Sequence, residues 1–275
     1  MSTRKAFVAG QFYPADPRRL ASAVSGYLQG GPASQEAGSR AQKALAIMAP
    51  HAGYIYSGGV AGTAYSAVEI PDTIVLIGPN HTGLGDPAAL SNSDAWQSPL
   101  GRIDIDRPLA GLIEASSRLF TFDDMAHTSE HSLEVQLPFI QFINPKAAIV
   151  PITVSSFGID GCRELGKGLG SAIKASGKDA LIVVSSDMNH YESDRVTREK
   201  DQMAVAQCLH LDSRALLEVC RERAVSMCGA VPMAIGMIAA KELGAKSSVL
   251  TGYATSGEVS HDTEQVVGYA GIVIS

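Results

Sequence analysis

Six short runs of the chain are almost unbroken in apolar and β-branched residues: ALAIMA (44–49), TIVLIG (73–78), AAIVPITV (147–154), ALIVVSS (180–186), SSVLTGYAT (247–255) and VVGYAGIVI (266–274). A strand that lacks polar alternation is one covered on both faces of its sheet. Between these runs apolar positions recur at helical spacing near 57–69, 131–142, 160–175, 194–209, 212–223 and 230–243. Such alternation predicts an α/β fold, with a central, mainly parallel or mixed sheet sandwiched by helices.

Local signals refine this outline. Asp16 followed by Pro17 predicts a helix start, since the carboxylate can accept from orphan N–H groups and proline suits the first helical position. The stretch Gly30 to Ser39, small, polar and rich in Gly and Pro, reads as a loop. It lies too near the start to divide two sizeable domains, so residues 1–275 are expected to form one. Residues 86–106 read as short strands and turns, with a hairpin expected at the sheet edge.

Composition narrows the function. With 45% hydrophobic and 18% charged residues the chain has ample material for a core. A net charge of -6 and the lack of a basic stripe argue against a nucleic-acid partner. The opening MSTRKAFVAG holds no apolar run of signal-peptide length, and Gly229 to Ala240 is too short and too interrupted to span a bilayer. A cytoplasmic protein without membrane partners is therefore expected. Cys162, Cys208, Cys220 and Cys228 show no C-x-x-C pairing, which disfavours a cysteine-only zinc site. No glycine motif of nucleotide-binding spacing follows a strand.

In α/β sheets ligands gather beyond the carboxyl ends of the strands. Here the first core run leads into Pro50-His51-Ala52-Gly53-Tyr54, the second ends in Gly78-Pro79-Asn80-His81, and 180–186 delivers Asp187-Met188-Asn189-His190. One such histidine would be an ordinary loop residue. Three of the seven histidines in equivalent places predict a shared pocket, because imidazole serves both metal binding and proton transfer near neutral pH.

Glu130 and His131 fall at the expected first turn of a helix striped by Leu133, Leu137 and Ile140; Glu130 either caps that helix or serves the pocket. Cys228 precedes the most apolar helix, where a lowered thiol pKa is expected; the other three cysteines read as structural. Asp187 has three readings: it orients a histidine, ligates an ion, or caps its turn. His127, His210 and His261 are expected at the surface.

These segments also resemble a known family. Ala9-Gly10-Gln11-Phe12-Tyr13-Pro14, Pro50-His51-Ala52-Gly53-Tyr54 with Ser57-Gly58, Gly78-Pro79-Asn80-His81, Glu130-His131-Ser132-Leu133-Glu134, Ser186-Asp187-Met188-Asn189-His190 and Cys228-Gly229 occur in the order seen in Memo-like proteins, also called the AmmeMemoRadiSam system protein B group. The resemblance implies a fold similar to the class III extradiol (LigB-type) dioxygenases, which hold non-haem Fe(II) with two histidines and a carboxylate. By the same resemblance His51 and His81 match the metal-ligand histidines, and Cys228 falls where the Memo-like family supplies a third ligand. By that resemblance too, Asp187 and His190 line the same pocket, and His131 resembles an active-site histidine of the dioxygenases. Sulfur in place of carboxylate softens the donor set, which admits Cu or Zn beside Fe(II).

Two functions are expected from this reading. The first is a metal-dependent redox enzyme on a small organic substrate, with His190 and His131 as base and acid, Asp187 orienting His190, and Tyr54 donating a hydrogen bond to substrate. The second is a non-enzymatic module that binds an anionic or phosphorylated peptide, as the resemblance to animal Memo-like proteins implies. The prokaryotic group name further implies a radical-SAM partner, and the apolar composition permits a homo-oligomer.

Overall fold

The computed structural model of the chain describes residues 2–30 and 41–275. Most of the expected 30–39 loop lies outside the described residues. Among them the strands are β1 (Thr3–Arg4), β2 (Ala46–Ala49), β3 (Thr73–Pro79), β4 (Ala88–Leu90), β5 (Ala95–Ser98), β6 (Gly101–Asp104), β7 (Thr121–Phe122), β8 (Ala148–Val154), β9 (Ala180–Ser185), β10 (His190–Glu192), β11 (Ser248–Thr255) and β12 (Val266–Ile274). The helices are α1 (Pro17–Gln29), α2 (Tyr54–Ser66), α3 (Arg107–Ser116), α4 (Leu137–Ile143), α5 (Ile159–Ser176), α6 (Asp194–Leu209), α7 (Ser213–Glu222), α8 (Ala230–Leu243) and α9 (Gly257–Ser260).

The main sheet runs β10-β12-β2-β9-β3-β8-β4-β7, with β11 also on β12. Its centre, β2-β9-β3-β8, is parallel, while β12 and β4 flank it antiparallel. The uninterrupted apolar runs now have their cause. Met48, Val75, Ile77, Val150, Ile152, Ile182 and Val184 face one core with α5 and α8. Ile47, Ala49, Ile74, Leu76, Ile149, Leu181 and Val183 face the other, toward α1, α2 and the 133–140 segment. Successive residues along each strand thus enter opposite cores.

Several expectations need correction. The β5–β6 hairpin does not edge the main sheet; it pairs with β1 in a three-stranded sheet of its own. The helix expected over 131–142 begins later, with a 3-10 turn at Glu134–Gln136 leading into α4. Helix α3 escaped the hydrophobic pattern, although Asp106 caps it by accepting from the Leu109 N–H with proline in the first turn. Asp16 does the same for α1, accepting from the Arg19 N–H at 2.8 Å.

A buried ion pair fastens the N-terminal segment to the centre of the molecule. Glu134, fully buried, accepts from Arg4 at 2.7 Å, from the N–H groups of Phe7 and Val8 at 2.9 Å, and from the Tyr13 hydroxyl at 2.7 Å. Arg4 also donates to the carbonyls of His127 and Glu130 and lies over the Trp96 ring at 4.3 Å. Every polar atom of this cluster is spoken for, so removing the anion strands a buried cation. Glu134→Gln is expected to cost about 3–5 kcal/mol, measured by urea denaturation. A loss under about 1 kcal/mol, the worth of an exposed ion pair, would refute this account.

Candidate metal centre

Strands β2, β9 and β3 are adjacent and parallel, so their carboxyl ends share one rim. His51 follows β2, His81 follows β3 and Asp187 follows β9, and Cys228 arrives from the segment before α8. His51, His81 and Cys228 each offer one ligand atom, and these atoms lie within 4.8 Å of one another. The Cys228 sulfur is 3.4 Å from His51 Nε2. Close approach of Gly229 makes this possible: a Cβ there would stand 2.7 Å from the Ser185 carbonyl and collide with Ser186.

The ring orientations follow from hydrogen-bond accounting. The Ser185 hydroxyl donates to the Ser132 carbonyl at 2.7 Å, so toward His51 it can only accept. His51 Nδ1, 2.9 Å away, therefore carries the proton, and Nε2 presents a bare lone pair. Gln136 donates to the same hydroxyl at 2.8 Å. His81 donates from Nδ1 to the Glu130 carboxylate at 2.9 Å, which likewise leaves its Nε2 bare. Glu130 also accepts from the backbone N–H groups of His81 and Ser132.

Burial shapes the charges. It drives the proton affinity of His51 well below the ordinary imidazole value, helped by neighbouring His131 and His81, so the ring is neutral. Burial alone would raise Glu130, but the hydrogen bond from the His81 ring and the two backbone N–H donors prevail and hold the carboxyl at about 2. Cys228 departs from expectation: burial, with the Asp187 charge, pushes the thiol up, outweighing the N–H groups of Asp187 and Gly229. The thiol comes just before α8 and is partly buried, where a lone thiolate is costly. His131 stands at the mouth between the Phe12 ring at 4.7 Å and the His81 ring at 4.8 Å, and burial lowers its proton affinity.

A family model described as "Memo-like protein" matches residues 4–273. The chain belongs to the Memo-like family. A MEMO1 family protein of Pyrobaculum arsenaticum is 42% identical over 99% of both chains. Counterparts from Methanothermobacter thermautotrophicus and Aquifex aeolicus are 38% and 39% identical, over 97% and 99% of this chain and 98% and 99% of theirs. A crystal structure of an uncharacterized Escherichia coli K12 protein overlaps at TM-score 0.47 and 12% identity, over 83% of this chain and 99% of that one, too loosely to carry an argument.

In this Memo-like protein the hydrogen bonds of two expected catalytic residues run to the backbone. Asp187 Oδ1 accepts from the N–H groups of His51 at 2.8 Å and Ala52 at 3.3 Å, bracing the loop that carries the first ligand candidate. His190 is oriented by Ser226, whose carbonyl receives Nδ1 at 3.0 Å and whose hydroxyl receives the backbone N–H. Tyr54 is buried and gives its hydroxyl proton to the Val135 carbonyl at 2.7 Å, so that proton is not free for a substrate. His127 is buried rather than exposed, with Nε2 on the Ala89 carbonyl and its ring against Trp96. His210 and His261 are exposed, and Cys162 and Cys208 are buried. Ser185, Ser226 and Gln136 were invisible to sequence reasoning, because a serine at a strand end or before a helix and a glutamine in a helical turn carry no motif.

The loop that ends in His190 hangs on a carboxylate deep in the fold. Asp201 accepts from the Asn189 N–H at 2.8 Å and from the Tyr253 hydroxyl at 2.7 Å. Burial raises its pKa from 3.8 to about 6 against the pull of those two donors. A folded value above the unfolded one means its contribution to stability is complete below the unfolded pKa and is lost as pH rises through about 6, on the order of 3 kcal/mol in all. Asp201→Asn cannot ionise. Relative to wild type, its stability should therefore climb between about pH 4 and pH 6 and level off above, read from denaturation midpoints from about pH 4 to pH 8; a difference that stays flat throughout would exclude this role.

Proposed function

We propose that this Memo-like protein is a metal-dependent redox enzyme acting on a small organic substrate, with non-haem iron held by His51, His81 and Cys228. One observation carries the reading: two bare imidazole lone pairs and a sulfur converge within 4.8 Å, each braced from behind. Neutral imidazole is the ligating form, and a carboxylate on the far nitrogen is the usual support of a metal-bound histidine. The half-buried thiol fits the same account. A cation beside it would offset the cost of deprotonating Cys228. Two nitrogens and a sulfur suit Fe(II), and also Cu or Zn.

A bound Fe(II) would supply Lewis acidity and one-electron chemistry. The chain's own groups provide the rest. His190 keeps its proton on Nδ1, toward the Ser226 carbonyl, and so offers Nε2 as a base. His131, with Nδ1 3.6 Å from Glu130, has a lowered proton affinity, so a proton it takes up is readily passed on. Asp187 fixes the His51 backbone, and Phe12 walls the pocket beside His131.

Anaerobic elemental analysis tests the reading. Wild type should purify with a transition metal, iron first, and Cys228→Ser and His51→Ala should lose it. Glu130→Gln, which leaves all three ligands in place, should weaken metal binding by about 10- to 100-fold. A wild type without any transition metal, unchanged by His51→Ala, would leave only the second reading, recognition of an anionic or phosphorylated peptide.

A further inference from the structure

Strand β10 is a three-residue edge strand with an irregularity at its middle. His190 pairs with Val267 and Glu192 with Val266, so Tyr191 is the extra residue between two neighbouring partners. Its backbone is left-handed, with φ 60°, a region that bulky side chains avoid and that glycine or asparagine would occupy at less cost. The side chain gains little packing in return, since Tyr191 is 73% exposed. A tyrosine held in a strained conformation with its ring in solvent serves no evident structural purpose. Bulges of this kind re-aim a side chain beside a site.

The direction of that aim is visible in its neighbours. The Tyr191 ring lies 5.7 Å from the His190 ring, tilted by 58°. His190 in turn is held by Ser226, two residues before Cys228, whose sulfur lies 3.4 Å from His51 Nε2. Tyr56, near the start of α2 and five residues beyond His51, is exposed as well. Across the pocket, Phe12 stands against His131. The pocket imidazoles thus have the Phe12 ring against His131 and the exposed Tyr191 ring beside His190.

We infer that Tyr191 is a substrate-contacting residue, whose ring covers the open side of the histidine pocket and packs on a planar organic substrate. This rests on the metal-enzyme reading above. The contact is one of faces, so the ring matters and the hydroxyl does not. Backbone strain is retained because the relaxed residues that fit the bulge have no ring to offer.

The test uses the iron-loaded full chain, with Tyr191→Gly and Tyr191→Phe beside wild type. Two probes are titrated: 4-nitrocatechol, a chromophoric planar ligand, and nitric oxide, which reports the metal by electron paramagnetic resonance without needing a wall. Tyr191→Gly should bind 4-nitrocatechol about tenfold more weakly, bind nitric oxide as wild type does, and melt no lower than wild type. Tyr191→Phe should keep wild-type affinity for both. Equal 4-nitrocatechol affinity in wild type and Tyr191→Gly, with nitric oxide bound by both, overturns the role of Tyr191 and leaves the metal reading standing. A Tyr191→Gly protein that melts well below wild type also overturns it, because the residue would then be structural; that arm needs no metal. Failure of wild type to take up iron or bind nitric oxide counts instead against the metal reading.

Discussion

Parallel pairing of β2, β9 and β3 is the constraint on which the site depends. Three neighbouring strands that run the same way must all turn out at one rim, so residues far apart in sequence become neighbours without any long-range recognition of their own. The two-sided apolar cores make that rim rigid. Loops leaving it inherit positions fixed by the sheet register, and only the last few ångströms remain to be set by local hydrogen bonds.

Those local bonds form a small, closed system of donors and acceptors. Ser185, at the end of β9, receives from His51 and Gln136 and gives to Ser132. Glu130 receives from His81 and from two backbone N–H groups. Asp187 holds the His51 loop, and Asp201 holds the His190 loop. Each candidate ligand therefore has a dedicated partner on a different strand or loop, and the free lone pairs are what remain after all other bonds are made. Buried carboxylates are costly unless satisfied, and here each is satisfied by the segment it positions.

Much of this was legible in the sequence, for definite reasons. The sheet could be read because strands with both faces buried leave continuous apolar runs, and the histidines stood out because they follow those runs directly. Helix α3 was missed because its apolar stripe is short, although Asp106 with Pro108 repeats the signal that marked α1. The hydrogen-bond partners of Asp187 and Tyr54 could not be read in advance, because residue type tells which bonds a side chain can make, not which partner reaches it first. Asp187 finds backbone N–H groups of the His51 loop before it finds an imidazole, and Tyr54 finds the Val135 carbonyl. Cys228 was expected to be acidic from its place near a helix start; burial, which sequence shows poorly, decides otherwise.

The first dozen residues gain an unexpected standing from the grip of Glu134 on Phe7, Val8 and Tyr13. Phe12 sits inside that grip, and its carbonyl accepts from the Tyr54 N–H, three residues beyond His51. The amino-terminal arm is thus a piece of pocket wall, held against His131 by an acid in the interior. Trimming that arm, or pulling on it with a fused partner, would reshape the chamber without touching a single imidazole.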